Sequence, residues 1–170
     1  MGYNGPVLKE KNFFLPFIDK DKKHGTGGVI RVTLLDISDG DTAVFSVDGK
    51  EEHVRFFCIN TPEYNRFGQE PWGKQAKEYT TARLKEASVI YLQSDPYDSI
   101  RDNTSFDRLL AWVWLDGELL NYNLVKEGYA TLKYVNSNKM LYIKQIRKAE
   151  KYARKKGLKI HGEKDPLWRY

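Results

Sequence analysis

The chain is poor in the residues that usually announce chemistry: among 170 residues there is one cysteine and there are three histidines. A single thiol, Cys58, cannot close an intrachain disulfide or build a cysteine metal cage. It lies inside the apolar run 54–59, where a packed core thiol is expected rather than a nucleophile. His24, His53 and His161 stand far apart without metal-type spacing, which argues against a zinc site or a histidine-based triad. A membrane span needs about 20 consecutive apolar residues, and the longest such stretch, around 109–115, is far shorter and bounded by turns. No contact with a membrane is expected. Near the N-terminus, residues 13–18 are too short for a signal-peptide core and are broken by Pro16. The expectation is a cytoplasmic protein as given, or a secreted one if a signal was trimmed. No glycine-rich phosphate loop precedes a helix, and no internal repeat is evident.

What is present describes a folded domain of ordinary size. Hydrophobic residues make up 41%, charged residues 30% and aromatics 14%, a balance that excludes a disordered or low-complexity chain. One core suffices, and a monomer is the expected state. The net charge is +5, but it is unevenly placed: residues 139–170 hold 11 Lys or Arg against 3 Asp or Glu, and residues 1–138 hold 17 against 20. A basic C-terminal segment attracts polyanions through counterion release, and it serves equally as a solvated helix face.

Residues 1–28 read as an N-terminal extension ending in the flexible joint His24-Gly25-Thr26-Gly27-Gly28. Phe13, Phe14, Leu15, Phe17 and Ile18 within it are expected to dock on the domain's own barrel, with docking on a partner protein as the alternative. Residues 29–35, 42–47 and 51–59 are β-branched or aromatic runs of strand length. They are separated by Asp39-Gly40-Asp41 and by Asp48-Gly49, the second a hairpin signal. Residues 71–87 carry apolar positions at helical spacing behind a proline. Two more strands follow at 88–94 and 108–115 around a polar loop, then helices at 118–127 and 139–156, the last with Tyr142, Ile146, Ala149 and Ala153 on one stripe. The order βββ-α-ββ-α-α predicts an α+β, mainly β fold: a five-stranded Greek-key barrel of OB type with about three packed helices. Residues 29–162 form the domain and 163–170 a C-terminal tail.

Two clusters stand at strand ends, Asp39-Gly40-Asp41-Thr42 and Asn60-Thr61-Pro62-Glu63. Together they offer carboxylate, amide and carbonyl oxygens of the kind hard divalent ions take, with Pro62 holding Thr61 extended so that its carbonyl is available. Ordinary turns have the same composition. Arg55 sits between Val54 and Phe56 in a strand and requires an anionic partner, from the protein or from a ligand. Arg108 opens the strand 108–115 in the same way, with Asp107 beside it as an obvious partner. Two arginines near a metal and a carboxylate would neutralise a pentacovalent phosphate.

The segments Asp39-Gly40-Asp41-Thr42, Val54-Arg55-Phe56, Asn60-Thr61-Pro62-Glu63 and Phe106-Asp107-Arg108, in this order and on this framework, resemble the staphylococcal nuclease (thermonuclease) family. The resemblance runs from residue 29 to residue 162. It implies an OB-type barrel and a Ca2+-dependent phosphodiesterase acting on DNA and RNA, leaving a 3′-phosphate and a 5′-hydroxyl. By the same resemblance Asp41, Asn60 and the Thr61 backbone carbonyl take the metal, with Asp39 in its outer shell. Glu63 activates water, Arg55 and Arg108 bind phosphate, and Tyr134 contacts the nucleotide.

The pattern also departs from the family. Asn60 stands where the well-studied member has a calcium-binding Asp, Asp107 where it has a glycine, Ser105 where it has a lysine and Asn136 where it has a tyrosine. The competing expectation is a noncatalytic module of the same fold that binds nucleic acid through a basic groove and stacked aromatics. Against it stands Glu63, since binding alone has no need of a carboxylate that repels the substrate.

Overall fold

The computed structural model describes residues 8–170. Five strands close a barrel: β1 (Val29–Asp39), β2 (Thr42–Val47), β3 (Lys50–Phe56), β4 (Ile90–Gln93) and β5 (Leu109–Leu115). They are ordered β3-β2-β1-β4-β5, and β5 returns parallel to β3 to shut the sheet on itself, pairing Val54 with Leu109 and Arg55 with Leu110. This is the OB-type barrel that the strand pattern predicts.

β1 runs four residues past the expected end because it serves two neighbours. Val29 to Val32 pair with β4, and Thr33 to Asp39 pair with β2 across two register shifts that bend the strand. The turn between β2 and β3 is built by Asp48 and Gly49, both at positive φ, as Asp-Gly in a two-residue hairpin requires. β3 is shorter than the apolar run 51–59 suggests. It ends at Phe56, the chain turns at Cys58 with φ of 61°, and Ile59–Asn60 begin a separate ladder with Thr131–Leu132. Cys58 is buried against the Met140 sulfur, and burial pushes its thiol well above the ordinary range, in keeping with a core residue.

Four helices surround the barrel: α1 (Glu10–Phe13), α2 (Gly73–Glu86), α3 (Leu120–Lys126) and α4 (Ile143–Lys156). Ile143, Ile146, Ala149 and Ala153 bury one stripe of α4, leaving its lysines and arginines outward. β5 is buried on both faces as its apolar sequence predicts, with Trp112 and Trp114 wholly enclosed. Their indole N–H groups donate to Asp95 at 2.9 Å and Gln93 at 3.0 Å, so neither large side chain strands a donor.

The extension packs on the barrel. Phe17 is buried, Phe13 meets Tyr91 edge-on, and Asn12 donates to the Gly27 carbonyl at 3.2 Å. Residues 24–28, expected as a flexible joint, are close-packed instead. A Cβ on Gly28 would lie 2.2 Å from the Pro16 carbonyl oxygen, so glycine is there for proximity rather than for motion.

Candidate active site

Asp41 opens β2's ladder and Arg55 sits opposite its neighbour, because the register pairs Thr42 with Arg55. The Arg55 guanidinium, buried to about nine-tenths, lies 3.3 Å from an Asp41 carboxylate oxygen and donates to the Phe56 carbonyl at 3.1 Å and to the Asn60 amide oxygen at 3.4 Å. The same Asp41 oxygen accepts the Thr61 N–H at 3.0 Å, and its other oxygen accepts the Thr42 hydroxyl at 3.0 Å. Buried charges persist only when paired and hydrogen-bonded in this way. The Thr61 hydroxyl is buried and has no partner among the described residues; it lies beside Gly40, whose carbonyl accepts the Thr80 hydroxyl at 2.6 Å.

Asp39 lies one residue outside this cluster. It accepts the Gly40 and Tyr64 N–H groups at 2.9 and 3.2 Å and the Asn65 amide at 2.7 Å. Burial, with the nearby Asp41 charge, raises its carboxyl above the ordinary value, and those three donors hold the rise in check. Its role here is to fasten the hairpin 64–69, in which Tyr64 and Asn65 pair with Gln69 and Gly68. Glu63 is set at the root of that hairpin. Its N–H donates to Glu70 Oε2 at 2.8 Å, its carbonyl accepts the Glu70 N–H at 2.9 Å, and its side chain is exposed.

The structure therefore brings Asp41, Arg55, Asn60 and Thr61 into one cluster, with the Tyr134 ring 5.8 Å from the Arg55 guanidinium carbon. Among the described residues, no hydrogen bond or ion pair joins Glu63 or Arg108 to that cluster. Arg108 is held by Asp102, through Nε at 2.6 Å and the backbone N–H at 3.1 Å, with Phe106 beneath it at 5.1 Å. This corrects the expectation of an Asp107 partner. Asp107 takes a positive φ of 50°, its carbonyl accepts from Arg101 at 2.9 Å and its N–H donates to the Thr104 carbonyl at 3.2 Å. Burial would raise the Asp102 carboxyl, but the bonds from Arg108 and Thr104 outweigh it and hold it below the usual range. Nothing in the sequence singled out Asp102. It lies in a polar loop, and its role depends on the loop folding back.

The donors suit a hard cation in kind. Asp41 and Asn60 both present oxygens within 3.4 Å of one Arg55 nitrogen, so both face one point. They are thin in charge: among the described residues no group of three His, Cys, Asp or Glu side chains is gathered around a metal-sized space.

The model of the staphylococcal nuclease homologue family matches residues 53–162. The chain belongs to that family. Among relatives, the thermonuclease of Staphylococcus hyicus is 34% identical over 124 residues, covering 72% of this chain and 70% of that protein. The thermonuclease of Staphylococcus intermedius is 35% identical over 127 residues, 73% of this chain and 71% of its own. Endonuclease YncB of Bacillus subtilis (strain 168) is 34% identical over 134 residues, 78% of this chain and 62% of its own. Within this staphylococcal nuclease homologue, Arg55, Asn60, Thr61, Glu63, Arg108 and Tyr134 fall inside the matched segment, and Asp39 and Asp41 precede it.

Proposed function

We propose that this chain is a Ca2+-dependent nuclease that hydrolyses phosphodiester bonds of DNA and RNA, giving 3′-phosphate and 5′-hydroxyl ends. The observation that carries the reading is Arg55: a buried guanidinium shared between the Asp41 carboxylate and the Asn60 amide, next to an exposed tyrosine ring. Relatives named thermonuclease and endonuclease support the same reaction class.

In this reading Asp41, Asn60 and the Thr61 carbonyl would hold the ion, which would supply charge neutralisation at the phosphoryl oxygens. Arg55 and Arg108 donate planar pairs of N–H groups to the same phosphate, and their own acids, Asp41 and Asp102, fix where those forks point. Glu63 accepts the proton of the attacking water as its oxygen bonds to phosphorus. The P–O5′ bond breaks, and the 5′ oxygen leaves with the bonding pair and is protonated by solvent. The Tyr134 ring stacks against the substrate. Because Glu63 is exposed and rooted by backbone bonds to Glu70, it is positioned without being desolvated.

The test is single-turnover cleavage of single- and double-stranded DNA and of RNA, with saturating Ca2+ and with chelator. Glu63→Gln is expected to lose about 10²- to 10⁴-fold in rate, the usual worth of a proton-transfer group, while thermal melting and oligonucleotide binding persist. Parent-like cleavage by a folded Glu63→Gln variant overturns the mechanism. A parent that binds but never cleaves makes the noncatalytic module the better reading, which Asn60 favours by removing a carboxylate from the ion site.

A further inference from the structure

The extension does more than cover the barrel. Between it and the loop that carries Asp102 lies an open cavity of about 790 Å³, lined by Lys20, Lys22 and Lys23 on one side and by Ser99, Asn103 and Asn136 among the residues opposite. All three lysines are exposed.

The charges of the cavity are unequal. Its other ionic residues are already committed: Arg101 makes a two-point pair with Glu52 at 2.9 and 3.0 Å, and Asp102 is paired with Arg108. Of the three lysines, only Lys22 faces a carboxylate among the described residues, Asp19 at 3.9 Å across an exposed gap, which is worth little. Neither Asp19 nor Asp21 lines the cavity. Three exposed lysines thus line an open cavity whose remaining polar wall is the neutral Ser99, Asn103 and Asn136 beside the already paired Arg101 and Asp102.

The position is fixed relative to Arg108. The extension is tied to the loop by the Ile100 N–H to the Lys23 carbonyl at 3.2 Å and by the Gly25 N–H to the Asp98 carbonyl at 3.3 Å. The loop is in turn tied to the start of β5 by the Leu110 N–H to the Ile100 carbonyl at 3.0 Å and the Asp102 N–H to the Arg108 carbonyl at 2.9 Å. Asp102 is the shared wall, holding Arg108 and lining the cavity.

Resting on the nuclease reading, we propose that Lys20, Lys22 and Lys23 form a second phosphate-backbone subsite, engaging substrate phosphates beyond the one that is cleaved. It makes the extension a part of strand recognition and favours substrates of several nucleotides over the shortest ones.

The experiment measures equilibrium binding of a fluorescein-labelled DNA single strand of about 12 nucleotides, within the site size of OB folds, and of a labelled dinucleotide, with calcium chelated. The parent is compared with K20Q/K22Q/K23Q and with the charge-matched K74Q/K77Q/K85Q on α2, none of which lines the cavity. Each phosphate contact contributes about 0.7 to the slope of log K against log salt for single strands, so the first variant is expected to lower the slope for the long strand by about 2. The dinucleotide constant and the melting temperature stay at parent values, and the α2 variant changes the slope by much less. An unchanged slope, an equal loss in the α2 variant, or a parent that does not bind the long strand overturns the proposal. Displacement of the long strand by inorganic phosphate at constant ionic strength, in the parent but not in K20Q/K22Q/K23Q, reassigns the cavity to free phosphate and overturns it too. Lysine-dependent binding without any cleavage in calcium instead overturns the nuclease reading and leaves the subsite standing.

Discussion

Arg55 is held by three different groups, and one of them, Asn60, is one of the four positions at which the sequence departs from the pattern of the family it resembles. An aspartate there would add a charge at the same 3.4 Å from the guanidinium and a second carboxylate for the ion. Asn60→Asp is therefore expected to lower the calcium concentration for half-maximal cleavage by roughly tenfold, since ligand charge count tunes oxygen sites on that scale. An unchanged or raised value places Asn60 outside the ion's ligands. Arg108 depends on a different acid and a different readout. The Asp102 carboxyl titrates below its unfolded value near 3.9, so its contribution to stability is present above about pH 4 and is lost as pH falls through the folded value. Melting curves of the parent and of Asp102→Asn are expected to differ at pH 5 to 7, and the gap is expected to close below about pH 4. A gap independent of pH removes the charge pair as its cause. Asp41, Arg55, Asn60 and Arg108 were legible because each is a polar side chain in or beside an apolar strand, whereas Tyr134 came only from the family resemblance. Their partners were not: Asp102 and Thr80 lie 6 and 40 residues from the groups they hold, and no local pattern links them.

Elements act on the site at one remove. Glu150 of α4 reaches out of its helix to accept the Leu132 N–H at 2.5 Å, and the Thr131–Leu132 strand pairs with Ile59–Asn60. The helix therefore positions Asn60, a residue of the proposed ion site, through a single carboxylate and a two-residue ladder. Glu150→Ala leaves that partly buried N–H unpaired and is expected to cost about 2 kcal/mol, as for hydrogen bonds to charged acceptors. Chemical denaturation measures the loss, and Glu150→Gln should recover part of it. The helix itself was readable from its apolar stripe at 3.6-residue spacing. The two-residue ladders were not, because so short a strand is defined by its partner and leaves no period to detect.

Across the whole molecule, charge is separated along the chain, with the excess of lysine and arginine in residues 139–170 exposed mainly on α4. Neutralising Lys144, Arg147, Lys148 and Lys151 together is expected to raise KM for a long substrate and flatten its salt dependence, leaving kcat near the parent value. A collapse of kcat with the salt slope intact instead assigns the segment a structural role. The barrel's five strands were legible, since turns and run lengths mark them; the parallel closure of β5 on β3 was not. The packing of the extension was not, because the glycines of residues 24–28 read as a hinge until the backbone they admit is seen. The last stretch of chain follows the same logic of distant closure. Asp165 accepts the Trp72 N–H at 2.7 Å and the Gln75 amide at 2.5 Å at the start of α2, and the Trp72 indole donates to the Glu163 carbonyl at 2.9 Å. That helix start presses on Glu63, whose carbonyl oxygen would sit 2.2 Å from a Cβ at Gly73. During synthesis, where residues emerge at about 5 to 20 per second, the groups that finish this helix start arrive some 90 residues after it. A nascent chain still short of residue 165 holds every proposed catalytic side chain but lacks the Asp165 clasp on the helix start beside Glu63, which closes only after that segment leaves the ribosome.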